Sequence, residues 1–273
     1  MNREQQQSPY RLAFVDLDDT LLGPRKDIGR ANLGALHRLR AAGVQIAIAS
    51  GRHHNNITGL AQLGQKDWIL SSHGSVVRHE QTREVLAEVN MTPSLVRHLC
   101  DRARELEFSV IVYHRDGAYI ERDSKWTDLY AREAGWIPKR ADFATLEATG
   151  IQKVLWSDHP DRIQQWAPAL KEEFADRLNV LVTNPELLEF FSLTANKAIG
   201  AQTLARKLRI RCEETLAFGD GNNDVELLRW AGLSVAMNHG RETARRAARL
   251  VSPPGPPESA FARAVDLTFS SSC

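Results

Sequence analysis

Leu12-Ala13-Phe14-Val15-Asp16-Leu17-Asp18-Asp19-Thr20-Leu21-Leu22 is the stretch on which the reading of this chain turns. Its first four residues form an apolar run closed by Arg11 on one side and Asp16 on the other. A short unbroken run of this kind is the pattern of a strand buried on both faces. Ligands of open α/β sheets bind beyond the carboxyl ends of such strands, which is where Asp16 and Asp18 fall. Two carboxyl groups so close repel each other unless a cation or a shared proton compensates them. A hard divalent cation with oxygen ligands is one natural solution. The same residues also suit a plain turn, with Asp19-Thr20 capping a following helix.

Working outward, the spacing predicts a helix over Ala31–Ala42 with Leu33, Leu36 and Leu39 on one side and Gly43 as its cap. Strands follow at Val44–Ser50 and Trp68–Ser72. After Asn196 the alternation resumes with a helix over Lys197–Leu208 and a strand over Thr215–Asp220. Next come a helix bearing Val225, Leu228 and Ala231, capped by Asn222 or Asn223 and stopped by Gly232, then a strand at Leu233–Met237 and a helix over Arg241–Arg249. Strand–helix alternation argues for a parallel sheet with crossover helices. The middle of the chain has another rhythm. Thr92-Pro93 opens a helix with Leu95, Leu99 and Leu106 spaced for burial, and Ser109–His114 with Gly117–Glu121 reads as a hairpin around Asp116-Gly117. Strands at Lys153–Ser157, Asn179–Thr183 and Leu187–Leu193, with a helix over Pro160–Phe174, complete an α+β unit. The expected organisation is an α/β core built from residues 1–78 and 195–273, with an α+β domain inserted over 79–194. Residues 2–9 read as a disordered leader, Ser252–Pro257 as irregular because of its prolines, and Ser270–Cys273 as a frayed end.

Composition narrows the functional class. Over 273 residues, 35 Lys and Arg against 34 Asp and Glu leave a formal charge of +1. That balance carries no basic footprint for nucleic acid and no general attraction to acidic membranes. Arg241, Arg245 and Arg249 share helical spacing, which reads as a solvated face. No apolar run reaches the ~18 residues of a membrane-spanning helix, and the polar start MNREQQQSPYR lacks a signal-peptide core. Cys100, Cys212 and Cys273 are odd in number and far apart, so a reducing, cytoplasmic setting is expected.

Three further segments bear on Asp16 and Asp18. Ser50-Gly51-Arg52 also follows a predicted strand, where a hydroxyl and backbone N–H groups at a helix start can hold a phosphate. Ser-Gly is equally ordinary loop chemistry. Gly219-Asp220-Gly221-Asn222-Asn223-Asp224 sets two carboxylates in an amide- and glycine-rich loop, suited to a magnesium ion or to an acidic turn with a helix cap. Lys197 opens a helix, where the dipole disfavours a cation and an anionic partner would explain it.

In this order the four segments resemble the haloacid dehalogenase-like hydrolase superfamily, and most closely its Cof-like phosphatases with a large α+β cap between the second and third motifs. The first motif, DxDGT, stands as Asp16-Leu17-Asp18-Asp19-Thr20, the second as Ser50, the third as Lys197, and the fourth, GDxxND, as Gly219–Asp224. The resemblance implies a Rossmann-like core and a cap that sets specificity. It implies Mg²⁺ held by Asp16, the Asp18 backbone carbonyl, Asp220 and Asp224. It implies Asp16 as nucleophile, Asp18 as general acid and base, Ser50 and Lys197 on the phosphoryl oxygens, and Gly51, Arg52 and Asn223 as substrate-side support. Transport ATPases of the superfamily carry threonine in place of Asp18, so aspartate there favours rapid turnover of a small phosphorylated metabolite: a sugar phosphate, a phosphorylated cofactor or a nucleotide. A phosphomutase is the alternative; a non-catalytic phospho-acceptor would be shorter and would lack the insert. Three positions depart from the pattern: Asp19 and Ala198 replace glycines, and His73-Gly74-Ser75 stands where the group has Asn-Gly-Ala. Arg52, His73, His114, Arg115 and Glu189 are candidates for substrate contact. Trp126, Trp136, Trp156 and Trp166 read as core packing or, less simply, as an aromatic platform.

Overall fold

Leu12–Val15 forms β1, and all four residues are fully buried. It lies inside an eight-stranded sheet in a computed structural model that describes residues 8–58, 60, 63, 68–146 and 149–270. The expected leader therefore falls outside the described residues up to residue 7, and the expected frayed end does so from residue 271.

In chain order β1 is followed by α1 (Arg30–Ala41), β2 (Gln45–Ala49), α2 (His54–Thr58), β3 (Trp68–Ser71), β4 (Val76–His79) and β5 (Val85–Glu88). Then come α3 (Pro93–Glu105), β6 (Ser109–His114), β7 (Gly117–Ile120), α4 (Lys125–Ala134), β8 (Lys139–Arg140), β9 (Ile151–Ser157) and α5 (Pro160–Glu173). After β10 (Leu178–Val182) and β11 (Leu187–Ser192) the chain continues through α6 (Lys197–Leu208), β12 (Thr215–Gly219), α7 (Val225–Trp230) and β13 (Leu233–Ala236). It closes with α8 (Glu242–Ala247), β14 (Leu250–Val251) and α9 (Ala260–Ser270). The chain divides into two units, Met1–Gly51 with Leu60–Ala87 and Asn196–Cys273, and Arg52–Gly59 with Glu88–Ala195.

The first unit carries the sheet β14-β13-β12-β1-β2-β3-β4-β5. Every pairing from β14 to β3 is parallel, and β4 turns back antiparallel to β3. Alternate residues face opposite sides. Leu12 and Phe14 pack with Ala201 and Leu204 of α6 and Leu227 and Leu228 of α7. On the other side Phe218 meets Phe261 of α9 edge-on at 5.1 Å. Helix α9 packs on α1 and has no counterpart among the expected elements. The buried Asn32 ties them together: its amide donates to Leu21 O (2.9 Å) and its carbonyl accepts from Ala262 N (3.0 Å), so no polar group there is left without a partner.

Two expectations change here. The helix drawn over Arg241–Arg249 ends at Ala247, because the following backbone pairs with the open edge of β13 as β14. Arg249 thus leaves the arginine face, and its N–H donates to Ser234 Oγ (3.1 Å). Neither Asn222 nor Asn223 caps α7; residues Asn222–Asp224 form a separate tight turn.

The second unit is a six-stranded sheet, β10-β11-β9-β6-β7-β8, antiparallel except for β7 with β8. The hairpin β6–β7 turns at Arg115-Asp116, one residue before the expected centre. Trp156 is fully buried between Phe108 (5.2 Å) and Phe190 (4.6 Å) on the face covered by α3 and α5, and Trp166 is half-buried beside the same cluster. The buried stripe of α3 is Val96, Leu99, Cys100 and Ala103, with Leu95 and Leu106 at its margins. The opposite face carries Ile111, Tyr113 and Leu155 against Tyr130 of α4. Trp136 stacks on His53 at 4.8 Å, and Trp126 lies edge-on to His159 at 6.2 Å.

Candidate active site

Parallel pairing of β1 with β12, Val15 opposite Phe218, sends Asp16 and Asp220 out of the sheet at the same end. Asp16 N–H donates to Phe218 O at 3.0 Å, a ladder bond that fixes the two strand ends side by side. A carboxylate oxygen from each of Asp16, Asp220 and Asp224 lies within 4.8 Å of the others, and this trio could hold a metal ion. The Asn222–Asp224 turn folds the third carboxylate back: Asp224 Oδ2 accepts from Asp220 N–H (3.0 Å) and Gly221 N–H (2.9 Å). Gly219 must be glycine for this, since a Cβ there would stand 2.7 Å from Asp224 Oδ2.

Lys197 opens α6 and is 1% exposed. Its ammonium donates to Asp16 Oδ1 at 2.5 Å and to Asp224 Oδ1 at 2.6 Å. This resolves the question of a cation at a helix start. The lysine does not face solvent, and two carboxylates outweigh the unfavourable dipole, an effect of only about 0.3–1 kcal/mol at exposed sites. Asn196 caps the helix, its Oδ1 accepting from Ile199 N–H at 2.8 Å. Ala198, in place of the expected glycine, is buried within the core cluster and leaves the helix start intact.

Three carboxylates face one ammonium, so the ionised cluster carries two negative charges in excess. Burial, reinforced by Asp224 and Asp220 and opposed by Lys197, raises the Asp16 carboxyl well above the ordinary carboxylate range. Burial and Asp224 push Asp220 up to about 7, although Thr20 Oγ1 donates to it at 2.9 Å. Burial works against the Lys197 ammonium, yet Asp16 and Asp224 hold its pKa above the ordinary lysine value. Thr20 was not singled out from the sequence as a site residue, although it closes the first motif.

Asp18 stands apart from the trio. Its carboxylate is 36% exposed and accepts from Lys26 Nζ at 3.1 Å. Nothing in the sequence marks Lys26, eight residues on, as its partner. Asp19 adopts φ 58°, ψ 8°, the left-handed region that explains the glycine of the pattern. Aspartate is among the residues that visit this region with least strain.

Ser50 follows β2 and is buried, its N–H donating to Leu70 O at 2.8 Å. Gly51 packs directly against the His73 ring, and Asn223 Nδ2 lies 3.4 Å from His73 Nδ1. Arg52, His114, Arg115 and Glu189 belong to the second unit. There Arg52 donates to Asn56 Oδ1 (3.3 Å), and His114 bonds Asp116 and lies 3.0 Å from Thr149 O. Arg115 pairs with Glu88 (3.5 Å), and the buried Glu189 accepts from Lys153 Nζ (2.6 Å) and Thr183 Oγ1 (2.8 Å).

At its carboxyl edge the parallel sheet thus gathers three carboxylates and a buried lysine. The chain belongs to the haloacid dehalogenase-like hydrolase family, whose profile matches residues 13–259. It is 27% identical over 232 residues to the HMP-PP phosphatase of Serratia proteamaculans, covering 84% of each chain. It is 26% identical over 241 residues to a Haemophilus influenzae protein described as a phosphatase, covering 84% of this chain and 85% of that one. A crystal structure of a haloacid dehalogenase-like hydrolase from Bacteroides thetaiotaomicron superposes with a TM-score of 0.84 at 26% identity, covering 95% of this chain and 100% of the other. Within the family the chain is a phosphoric monoester hydrolase. No helix among the described residues is long and apolar enough to cross a membrane.

Proposed function

We propose that the chain releases orthophosphate from a small phosphorylated metabolite through a phosphoenzyme on Asp16, with Mg²⁺ held by Asp16, Asp220 and Asp224. The observation that carries this reading is the trio of carboxylates, Asp16 and Asp224 buried and Asp220 partly so, with its excess negative charge. All its donors are oxygen, and the charge excess calls for a hard cation, so the residues fit Mg²⁺. When bound, the ion would neutralise charge that otherwise keeps a carboxylate from approaching a phosphate dianion.

The chain's own groups do the rest. Asp16 Oδ attacks phosphorus while the ester P–O bond breaks, and Asp18 delivers a proton to the departing alkoxide. Asp18, now a carboxylate, takes a proton from water; the oxygen attacks phosphorus, the P–O bond to Asp16 breaks, and orthophosphate leaves. Lys197 and Ser50 hold the non-bridging oxygens, where transition-state charge resides. The partial exposure of the Asp18 carboxylate suits a group that exchanges protons with solvent between the two steps. General acid–base groups contribute ~10²–10⁴-fold. Asp18→Asn is therefore expected to slow turnover by about that factor and to leave phosphate on Asp16, read as an 80 Da mass increment, the mass of an added HPO₃ (about 80 Da). Unchanged turnover would remove Asp18 from the mechanism.

The metal assignment has its own test. A carboxyl whose folded pKa is raised favours the folded state only while protonated. The metal-free protein should therefore lose stability as pH rises from the ordinary carboxylate range through about 7, where Asp220 ionises. Mg²⁺ competes with that proton. The rise in melting temperature that Mg²⁺ produces should be larger at about pH 8 than at about pH 6. Equal increments would count against Asp220 as a ligand.

The substrate is sought with a panel of sugar phosphates, phosphorylated cofactors, nucleotides and HMP-PP, the compound in the name of the Serratia relative. Orthophosphate release with Mg²⁺ and no isomerised product is the expected result. An isomerised product without release would make the enzyme a mutase.

A further inference from the structure

Between β3 and β4 the chain passes through Ser72, His73 and Gly74 with φ of 49°, 58° and 87°. Three successive left-handed residues, two of them not glycine, are a costly arrangement that persists only where its surroundings over-determine it, and such strain clusters at functional sites. The surroundings are three of the four motif segments. His73 N–H donates to Ser50 O at 3.1 Å. The His73 ring lies so close over Gly51 that a Cβ there would stand 2.5 Å from Cε1 and 3.0 Å from Nε2. Its Nδ1 is 3.4 Å from the Asn223 amide. A Cβ on Gly74 would meet Asn196 O at 2.5 Å and Lys197 Cα at 3.3 Å. The imidazole itself is 1% exposed. A side chain sealed in this way does not sample substrate freely; it fixes the distance between the loops it separates.

We propose that His73 is the positioning residue of the phosphate site: its ring wedges between the Ser50–Gly51 turn and Asn223 and sets the spacing at which groups from the two loops meet one phosphoryl group. This deepens the phosphatase reading above and rests on it. Beside the imidazole, Gly51 has no room for any side chain. Asp224 is held by Lys197 and by backbone N–H groups of its own loop, so metal holding has supports of its own.

The test is calorimetric binding of orthophosphate in the presence of Mg²⁺, beside the Mg²⁺-dependent rise in melting temperature. His73→Gly accepts the left-handed backbone and deletes the ring. It is expected to weaken orthophosphate binding by about tenfold or more, since small misplacements of positioning groups have effects of this size, while the Mg²⁺ response stays at the parent value. His73→Asn, also tolerant of positive φ, keeps a polar side chain at the position but not the ring, and is expected to weaken binding less than His73→Gly does. Turnover should follow by a raised KM with kcat changed less. Gly51→Ala supplies a second reading should His73→Gly not fold: it should weaken orthophosphate binding in the parent and do so less in the His73→Asn background, where the ring no longer occupies the space. The proposal is overturned if His73→Gly binds orthophosphate like the parent, if the Mg²⁺ response collapses in parallel, or if Gly51→Ala has equal effects in both backgrounds. A parent protein that neither binds orthophosphate nor hydrolyses any monoester would instead refute the phosphatase reading itself.

Discussion

Asp16→Asn is expected to abolish turnover, by on the order of 10⁵-fold or more, while the metal-free protein melts at or above the parent temperature near neutral pH. The two halves of this result come from the same cause. An amide has no anionic oxygen with which to displace the ester, so the covalent step is lost and only binding and charge neutralisation remain. Stability moves the other way because the carboxylate is held at a disadvantage. Burial, Asp224 and Asp220 all oppose its ionisation, and together they exceed the benefit of Lys197, since the Asp16 pKa is raised well above its ordinary value despite the 2.5 Å contact. A neutral isostere removes that disadvantage, and Lys197 keeps Asp224 at 2.6 Å. Phosphate release and a thermal melt in the absence of metal check both parts. Substantial residual turnover would sink the nucleophile assignment. A variant that lost activity only because it unfolded would show the opposite shift in melting temperature. The signs would differ at a site built for rigidity alone, where removing a partner of a buried pair is strongly destabilising.

The sequence read well where local pattern and tertiary setting coincide. Leu12–Val15 is apolar throughout because its neighbours β2 and β12 and helices on both sides leave no face for water, so the run itself marks the strand. The order of Asp16, Ser50, Lys197 and Asp220 was legible because each follows or opens an element at the same sheet edge. What was not legible depended on partners remote in sequence. Leu250–Val251 pairs only because the edge of β13 is open, and two residues carry no periodicity. The α9 stripe of Phe261, Ala264 and Val265 is apolar enough to read, but what gives it meaning is a distant docking partner, α1. Asp224 stood out as a carboxylate of a glycine- and amide-rich loop, but its partners did not: the carboxylate is shared between backbone N–H groups of that loop and Lys197. His73 carried a signal only as a departure from a pattern, and its contacts with Gly51 and Asn223 arise from strands that meet in space.

Lys197→Met should have the largest effect on stability. The folded pKa of the ammonium lies above the ordinary lysine value, so its contribution is fully present at neutral pH and is lost only as pH rises through that folded value. Methionine fills much of the same space, which leaves charge as the variable. Without the ammonium, Asp16, Asp220 and Asp224 share a buried site with no cation, and breaking such a pair costs about 3–5 kcal/mol. Protonation limits the damage: Asp16 and Asp220 already resist ionisation and would take up protons more readily still. The loss should therefore shrink as pH falls, being smaller at about pH 5 than at about pH 8. Mg²⁺ should restore part of it, about 2.7 kcal/mol at a hundredfold excess over its dissociation constant, because the ion answers the same excess of charge. Turnover should stay low even with the fold restored, by about 10²–10³-fold, since a transition-state oxygen loses its fixed positive partner. Melting curves across pH with and without Mg²⁺, set beside phosphate release, separate these effects. A melting temperature that falls equally at every pH would mean that ionisation of the facing carboxyls does not set the loss, and the electrostatic account of the site would fail with it.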